Sequence, residues 1–349
     1  MDRCRSLVIL GLLALVTVAC ASQASEPAAT LQATEAPSVS ASPTPELSLV
    51  PEKPTLVPTE VPEPRRYTFV LIGGDLDRLG REMEGGTFVI VTGVFSKDGP
   101  GDIVLIDVPR DLYVPISCMD GDLDWIVAAY PLGLQAGNGK AAKGLDCVRQ
   151  VVEDNFGLEV NGGVALVTVD GFDSLVDSFG GLRITPGYEH KTRCSGIYLR
   201  WLAGETYLMN GDALMCYVRM QNNGADRDQG RSYRAGQVVT AMADQWLPLY
   251  VEHPVQSVMS TWRFWKENVY MSLNLAEVLR LAPLIPKARD AEIRSARFRF
   301  GEDVAYWMTP QGASGLLPQV DLREWTACAV ASPFVQELLG CSARGLPFR

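Results

Sequence analysis

The chain has 349 residues, a formal net charge of −10 and only two histidines. That length suits one large domain or two and is short for three. The acidic balance argues against a nucleic-acid partner and against broad attraction to anionic lipid, so any anion site must be a local cluster of arginines.

The chain begins MDRCRSLVILGLLALVTVACASQ, with Arg3 and Arg5 ahead of an apolar stretch from Leu7 to Val18, then Ala19 and Cys20. The stretch is short for a bilayer span and reads as an export signal over residues 1–20. Small residues before a cysteine point to lipoprotein processing, which would leave Cys20 as a lipid-modified N-terminus. Residues 21–65 are dominated by Pro, Ser, Thr, Ala and Glu and contain no aromatic residue. Such a segment cannot bury a core and reads as a semi-extended tether holding a domain away from a membrane. The folded part is expected from about Arg66.

RYTFVLIGGD predicts a buried strand ending in Gly73, Gly74 and Asp75, and TFVIVTGVF and GDIVLIDVPRD predict two more. In GLDCVRQVVEDNFGL, the apolar residues Leu145, Val148, Val151, Val152 and Phe156 have helical spacing. GGVALVTVDGFDSLVDSFGGLRI reads as strand, short helix and strand. NGDALMCYVRMQ starts a helix whose segment ends at Arg219, and SYRAGQVVTAMADQWLPLY predicts an amphipathic helix. Strands alternating with helices indicate an α/β fold, an α+β sandwich with a central mixed sheet. From Val251 on, a helix (NLAEVLRLAPLI) and a strand (EIRSARFRF) read as the far edge of the same globule. Trp262, Trp265, Trp307 and Trp325 are expected to pack in the core rather than to form a ligand platform.

Setting aside Cys4 and Cys20 leaves Cys118, Cys147, Cys194, Cys216, Cys328 and Cys341. Without a Cys-x-x-Cys pair, and with few histidines, zinc is disfavoured and disulfides are expected in an exported chain. Spacing does not fix the pairing; Cys328 with Cys341 is the most natural guess, both lying in the terminal segment.

Three polar groups call for an explanation. GGDLDR puts Asp75 and Asp77 just after a strand, where carboxylates can hold Mg²⁺ while leaving room for phosphate; a turn that merely uses Asp is the alternative. Pro109-Arg110-Asp111 delivers a cation and a carboxylate from a rigid strand tip. YVRMQNNGADRDQGRSYR gathers Arg219, Arg227, Arg231 and Arg234 beside Asp226 and Asp228. Arginine grips phosphate oxygens through paired hydrogen bonds, so this looks like a focused anion site, although a solvated helix start with compensating charges has the same composition. No G-x-S-x-G element, Walker loop or dinucleotide fingerprint occurs.

In order and spacing these pieces resemble the LytR-CpsA-Psr family of extracytoplasmic glycopolymer transferases, over roughly Tyr67 to Trp246. The resemblance rests on LIGGD, LIDVPRDLYV, IVAAYPLG, GFDSLVDSFGGLRI, GDALMCYVRM and DQGRSYR. It implies a membrane-anchored protein on the extracytoplasmic face, with a family domain over residues 66–250 and an extension over 251–349. It also implies a long apolar pocket for the polyprenyl chain of a pyrophosphate-linked glycan. Arginines and Mg²⁺ or Mn²⁺ would hold the pyrophosphate while the glycan-phosphate passes to a cell-envelope hydroxyl acceptor. By the same resemblance Asp75 is a metal ligand, and Arg110, Arg219, Arg231 and Arg234 contact or organise the pyrophosphate. Asp111 orients Arg110, and Asp228 belongs to the same polar cluster. The pocket is expected between the sheet and the helices around GLDCVRQVVEDNFGL and SYRAGQVVTAMADQW, opening near Arg110.

The chain departs from the family pattern at several of these positions. Gly86 stands where the second metal carboxylate is usual, Gln221 where a second late arginine is usual, Val127 for an asparagine and Ala235 for a glutamine. Asp77, Glu82 or Glu84 could replace the missing carboxylate. Two other readings follow: a catalytically degenerate relative that binds a polyprenyl lipid or an envelope partner, and an envelope carbohydrate-binding lipoprotein.

Overall fold

The computed structural model describes residues 65–76, 83–95, 101–194, 196–220, 227–309 and 312–331; for residues 75, 76, 83–85 and 227–229 only the backbone is described. The expected signal segment, Cys20, the tether, Asp77, Glu82, Gln221 and Cys341 lie outside these residues. No helix among the described residues is long and apolar enough to cross a membrane.

Six strands form the central sheet: β1 (Arg65–Leu76), β2 (Met83–Phe95), β3 (Asp102–Val108), β4 (Gly163–Thr168), β5 (Val269–Met271) and β6 (Glu292–Arg297). Their order is β5-β4-β1-β2-β3-β6. β1 runs parallel to β4, and β3 parallel to β6, while β2 and β5 run against their neighbours. The carboxyl ends of β1, β3, β4 and β6 therefore share one edge of the sheet. In open α/β sheets that edge is where ligands bind.

The period-2 alternation of strand side chains explains the layering. Along β1, Tyr67 and Phe69 enter one core while Val70 and Ile72 enter the other. Both faces of the central strands are thus covered, and β3 is buried at every position from Ile103 to Val108. The second core is closed by α1 (Ala141–Phe156), whose Leu145, Val148, Val151, Val152 and Phe156 form the expected stripe. Gly157, at φ 67°, ends α1 in the left-handed conformation that a C-terminal glycine adopts without strain. The first core is covered by α2 (Val169–Ser178), α3 (Gly211–Arg219), α4 (Arg227–Trp246) and α5 (Pro254–Asn268). Residues beyond Val251 supply both edge strands; Arg294 of β6 pairs with Asp102 of β3 at 2.9 Å. A last helix, α6 (Leu322–Ala331), packs Trp325 into the second core, stacked on Phe298.

The cysteines are oxidised, in line with the sequence. Cys118 bonds Cys147, tying α1 to a 3₁₀ turn, and Cys194 bonds Cys216, tying α3 to the hairpin of residues 190–201. Cys328 is also in a disulfide.

Candidate functional site

Between the sheet and the helices of the first core lies an apolar pocket with an empty volume of about 990 Å³. Leu71, Val89, Ala165 and Val167 floor it, and Phe172, Leu175, Met215, Val239, Met242 and Trp265 wall it. Its polar end is Gly73, Gly74, Thr87, Thr168 and Arg219, at the carboxyl edge of β1 and β4. Arg219 is the one charged side chain among the described lining residues. An apolar cavity with a few polar groups gathered at one end is the usual form of a ligand site.

One expectation is corrected here. The helix of GLDCVRQVVEDNFGL, α1, takes no part in the pocket. Its apolar stripe faces the opposite side of the sheet, where Val151 and Val152 are wholly buried. Amphipathic spacing predicted that α1 buries a face, but not which side of a two-sided sheet it covers. Arg110 is not among the lining residues, whereas Arg219 is. Among the tryptophans, Trp325 packs in the core as expected, whereas Trp265 is both buried and part of the pocket wall.

The other arginines gather at the same sheet edge. Val108, the last residue of β3, pairs with Phe88, beside Thr87 of the pocket, and the chain then leaves the sheet as Pro109-Arg110-Asp111. A tight turn follows, with the Leu112 N–H donating to the Pro109 carbonyl at 3.1 Å. Arg110 Nε lies 3.2 Å from Asp111 Oδ1, both side chains mostly covered. Helix α4 starts over this tip: Ser232 Oγ donates to the Val108 carbonyl at 3.4 Å, and Arg231 beside it is 8% exposed.

Arg234 is held against the end of α3. It is 0% exposed, donates to the Met220 carbonyl and lies 5.9 Å from the Tyr217 ring centroid. Ala235, which replaces the family's glutamine, lines the pocket as an apolar residue.

Helix α3 carries Arg219 in its last turn, where a cation also suits the helix dipole. Asn210 caps its start by accepting from the Ala213 N–H, and Asp177 of α2 accepts from the Gly211 N–H at 2.8 Å. Asp173, also on α2, was not singled out by the sequence. Burial, then the charges of Asp212, Asp177 and Asp170, pushes its carboxyl up to about 6, with Arg219 pulling the other way.

The metal expectation falls largely on backbone. Asp75 pairs with Glu84 across β1 and β2, next to a β-bulge between Gly73 and Asp75. Gly86 is buried and has no side chain to offer. Among the described residues, no three carboxylate, histidine or cysteine groups lie close enough to hold a metal ion.

The protein is thus a three-layer α/β fold with an apolar pocket whose lining includes Arg219. The sequence profile of the LytR_cpsA_psr family matches residues 34–311, and the chain belongs to that family. The match runs beyond the Tyr67–Trp246 span that the motifs covered. A curated relative, the polyisoprenyl-teichoic acid–peptidoglycan teichoic acid transferase TagU of Halalkalibacterium halodurans, is 29% identical over 176 residues, 50% of this chain and 52% of the relative. The chain thus matches about half the length of that relative. Among solved structures, TagV of B. subtilis aligns at TM-score 0.54 and 18% identity, covering 80% of this chain and 95% of that one. The protein gbs0355 of Streptococcus agalactiae aligns at TM-score 0.56 and 16% identity, covering 78% and 88%. These structural likenesses carry the fold.

Proposed function

We propose that this protein is an extracytoplasmic phosphotransferase that moves a glycan-phosphate from a polyprenyl-pyrophosphate carrier to a hydroxyl of a cell-envelope polymer. The observation that carries this reading is the pocket, apolar along its length with Arg219 as its charged lining residue among those described. A polyprenyl chain is the kind of occupant such walls favour, since it returns apolar surface to an apolar setting. Arg219, with Arg110 and Arg231 at the same sheet edge, suits a pyrophosphate at the mouth. The activity in the name of the Halalkalibacterium halodurans relative agrees with it.

In the transfer an acceptor hydroxyl oxygen bonds to the phosphorus that carries the glycan and releases its proton to solvent. The bond from that phosphorus to the bridging oxygen breaks, and polyprenyl phosphate leaves. Phosphoryl transfer depends mostly on positioning and on neutralising spreading negative charge. Arg219 and Arg110 would do both, with Asp111 holding Arg110 in place. A divalent cation, Mg²⁺ or Mn²⁺, would add to that neutralisation through Asp75. Lipid modification at Cys20 would keep the domain at the membrane that supplies the donor.

The buried, side-chain-free Gly86 favours one second reading, a catalytically degenerate relative that still binds the lipid. Turnover of a polyprenyl-pyrophosphate-linked disaccharide into polyprenyl phosphate separates the two. An active enzyme requires Mg²⁺ or Mn²⁺, and Arg219→Ala or Arg110→Ala should each lower its rate about a hundredfold or more. A folded wild type without turnover leaves the lipid-binding reading alone.

A further inference from the structure

On the other side of α4 from the apolar pocket lies a second, polar one, with an empty volume of about 760 Å³. One face of α4 lines it with Tyr233, Gly236, Thr240 and Asp244, residues at helical i, i+3 and i+4 spacing. Arg183 and Arg297 line it from the neighbouring strands, both exposed. Arg183, Arg297 and Asp244 line one polar hollow, so in a chain of net charge −10 this lining carries no excess of negative charge.

Beneath the lining residue Gly236 lies a buried carboxyl. Asp107 of β3 is 1% exposed, and its Oδ1 has no hydrogen-bond partner. Its Oδ2 accepts from Ser295 Oγ at 3.0 Å and lies 3.7 Å from Arg297 Nε. The carboxyl occupies the notch left by the missing side chain of Gly236: a Cβ there would stand 2.2 Å from Oδ1. The three residues around it, Gly236, Ser295 and Arg297, all line the pocket. Arg297 is meanwhile held over the Tyr233 ring, 4.1 Å from its centroid, which fixes the guanidinium at the rim.

We propose that this pocket binds an anionic saccharide, with Arg297 and Arg183 on its acidic group and Thr240 and Asp244 on its hydroxyls. Paired arginines recognise a planar or tetrahedral oxyanion, and short polar side chains match the donors and acceptors of a sugar ring. The site is separate from the pyrophosphate arginines and does not require the transferase reading, because it stands on its own residues.

Titration of the folded protein by calorimetry tests it, with glucosamine 6-phosphate, glucosamine and inorganic phosphate as probes. The sugar phosphate should bind at least about tenfold more tightly than phosphate alone, because both groups contribute. Arg297→Gln should weaken it about tenfold or more. Arg183→Gln, at an exposed position, should do the same without touching Asp107 or the core. Arg219→Ala should leave this binding unchanged. Wild-type affinity in both Arg297→Gln and Arg183→Gln overturns the proposal, as does equal affinity for phosphate alone or no binding at all. Loss of binding in Arg219→Ala but not in Arg297→Gln would assign the ligand to the apolar pocket's mouth instead.

Discussion

The guanidinium of Arg234 donates to the carbonyl of Met220, the residue that caps the helix ending in Arg219. The pair joins two helices that the polar run QNNGAD separates in the sequence: α3, whose Arg219 lines the pocket, and α4, which walls it. Arg234 is completely buried beside Tyr217. Its replacement by methionine keeps much of the volume but leaves the Met220 carbonyl without that donor. Arg234→Met should therefore cost about 2–4 kcal/mol of stability, measured by urea denaturation. Arg219→Ala, at a half-buried position on the pocket rim, should stay within about 1 kcal/mol of wild type.

Gly86 is the departure with the clearest consequence for chemistry. Gly86→Asp together with Gln221→Arg restores the carboxylate and the arginine that the family pattern carries at these positions. If the wild type turns over slowly, the double variant should gain metal-dependent turnover, by about tenfold or more for each recovered phosphate or metal contact. A wild type that is already fast and gains nothing would point to a substitute carboxylate such as Asp77.

Asp107 gives stability a pH signature. Burial pushes its carboxyl up to about 8, against smaller opposing effects of the Ser295 hydrogen bond and the Arg297 charge. Between about pH 4 and pH 8 the folded state keeps the proton and the unfolded chain loses it. The folded state thus binds more protons, and stability falls as pH rises through that window, with a limiting slope of about 1.4 kcal/mol per pH unit. Asp107→Asn resembles the protonated form and should flatten this slope in denaturation curves collected from pH 4 to pH 8.

Much of the fold was legible because the sequence states it locally. The β1, β2 and β3 segments each carry an apolar run (FVLI, FVIV and IVLI), as strands covered on both faces do, and the stripe of α1 appears at its proper spacing. The side of the sheet that α1 covers was not legible, since that depends on how the chain crosses over rather than on any local pattern. Arg110, Arg219 and Arg231 were found as charges out of place in an acidic protein. Asp173 and Asp107 were not, because an aspartate in a strand or helix looks ordinary until its burial is known. Trp265 went to the core by its size, and only the geometry adds that one of its faces borders a cavity.

The central claim is that the apolar pocket holds a polyprenyl chain, and mass spectrometry of lipid extracted from the purified protein tests it most directly. The pocket predicts a co-purified polyprenyl phosphate or pyrophosphate in wild type. Val239→Trp, which fills the cavity from α4, should lose that lipid while remaining folded. Wild-type protein that carries no polyprenyl lipid, together with a folded Val239→Trp variant that turns over the lipid-linked donor at the wild-type rate, would contradict the account.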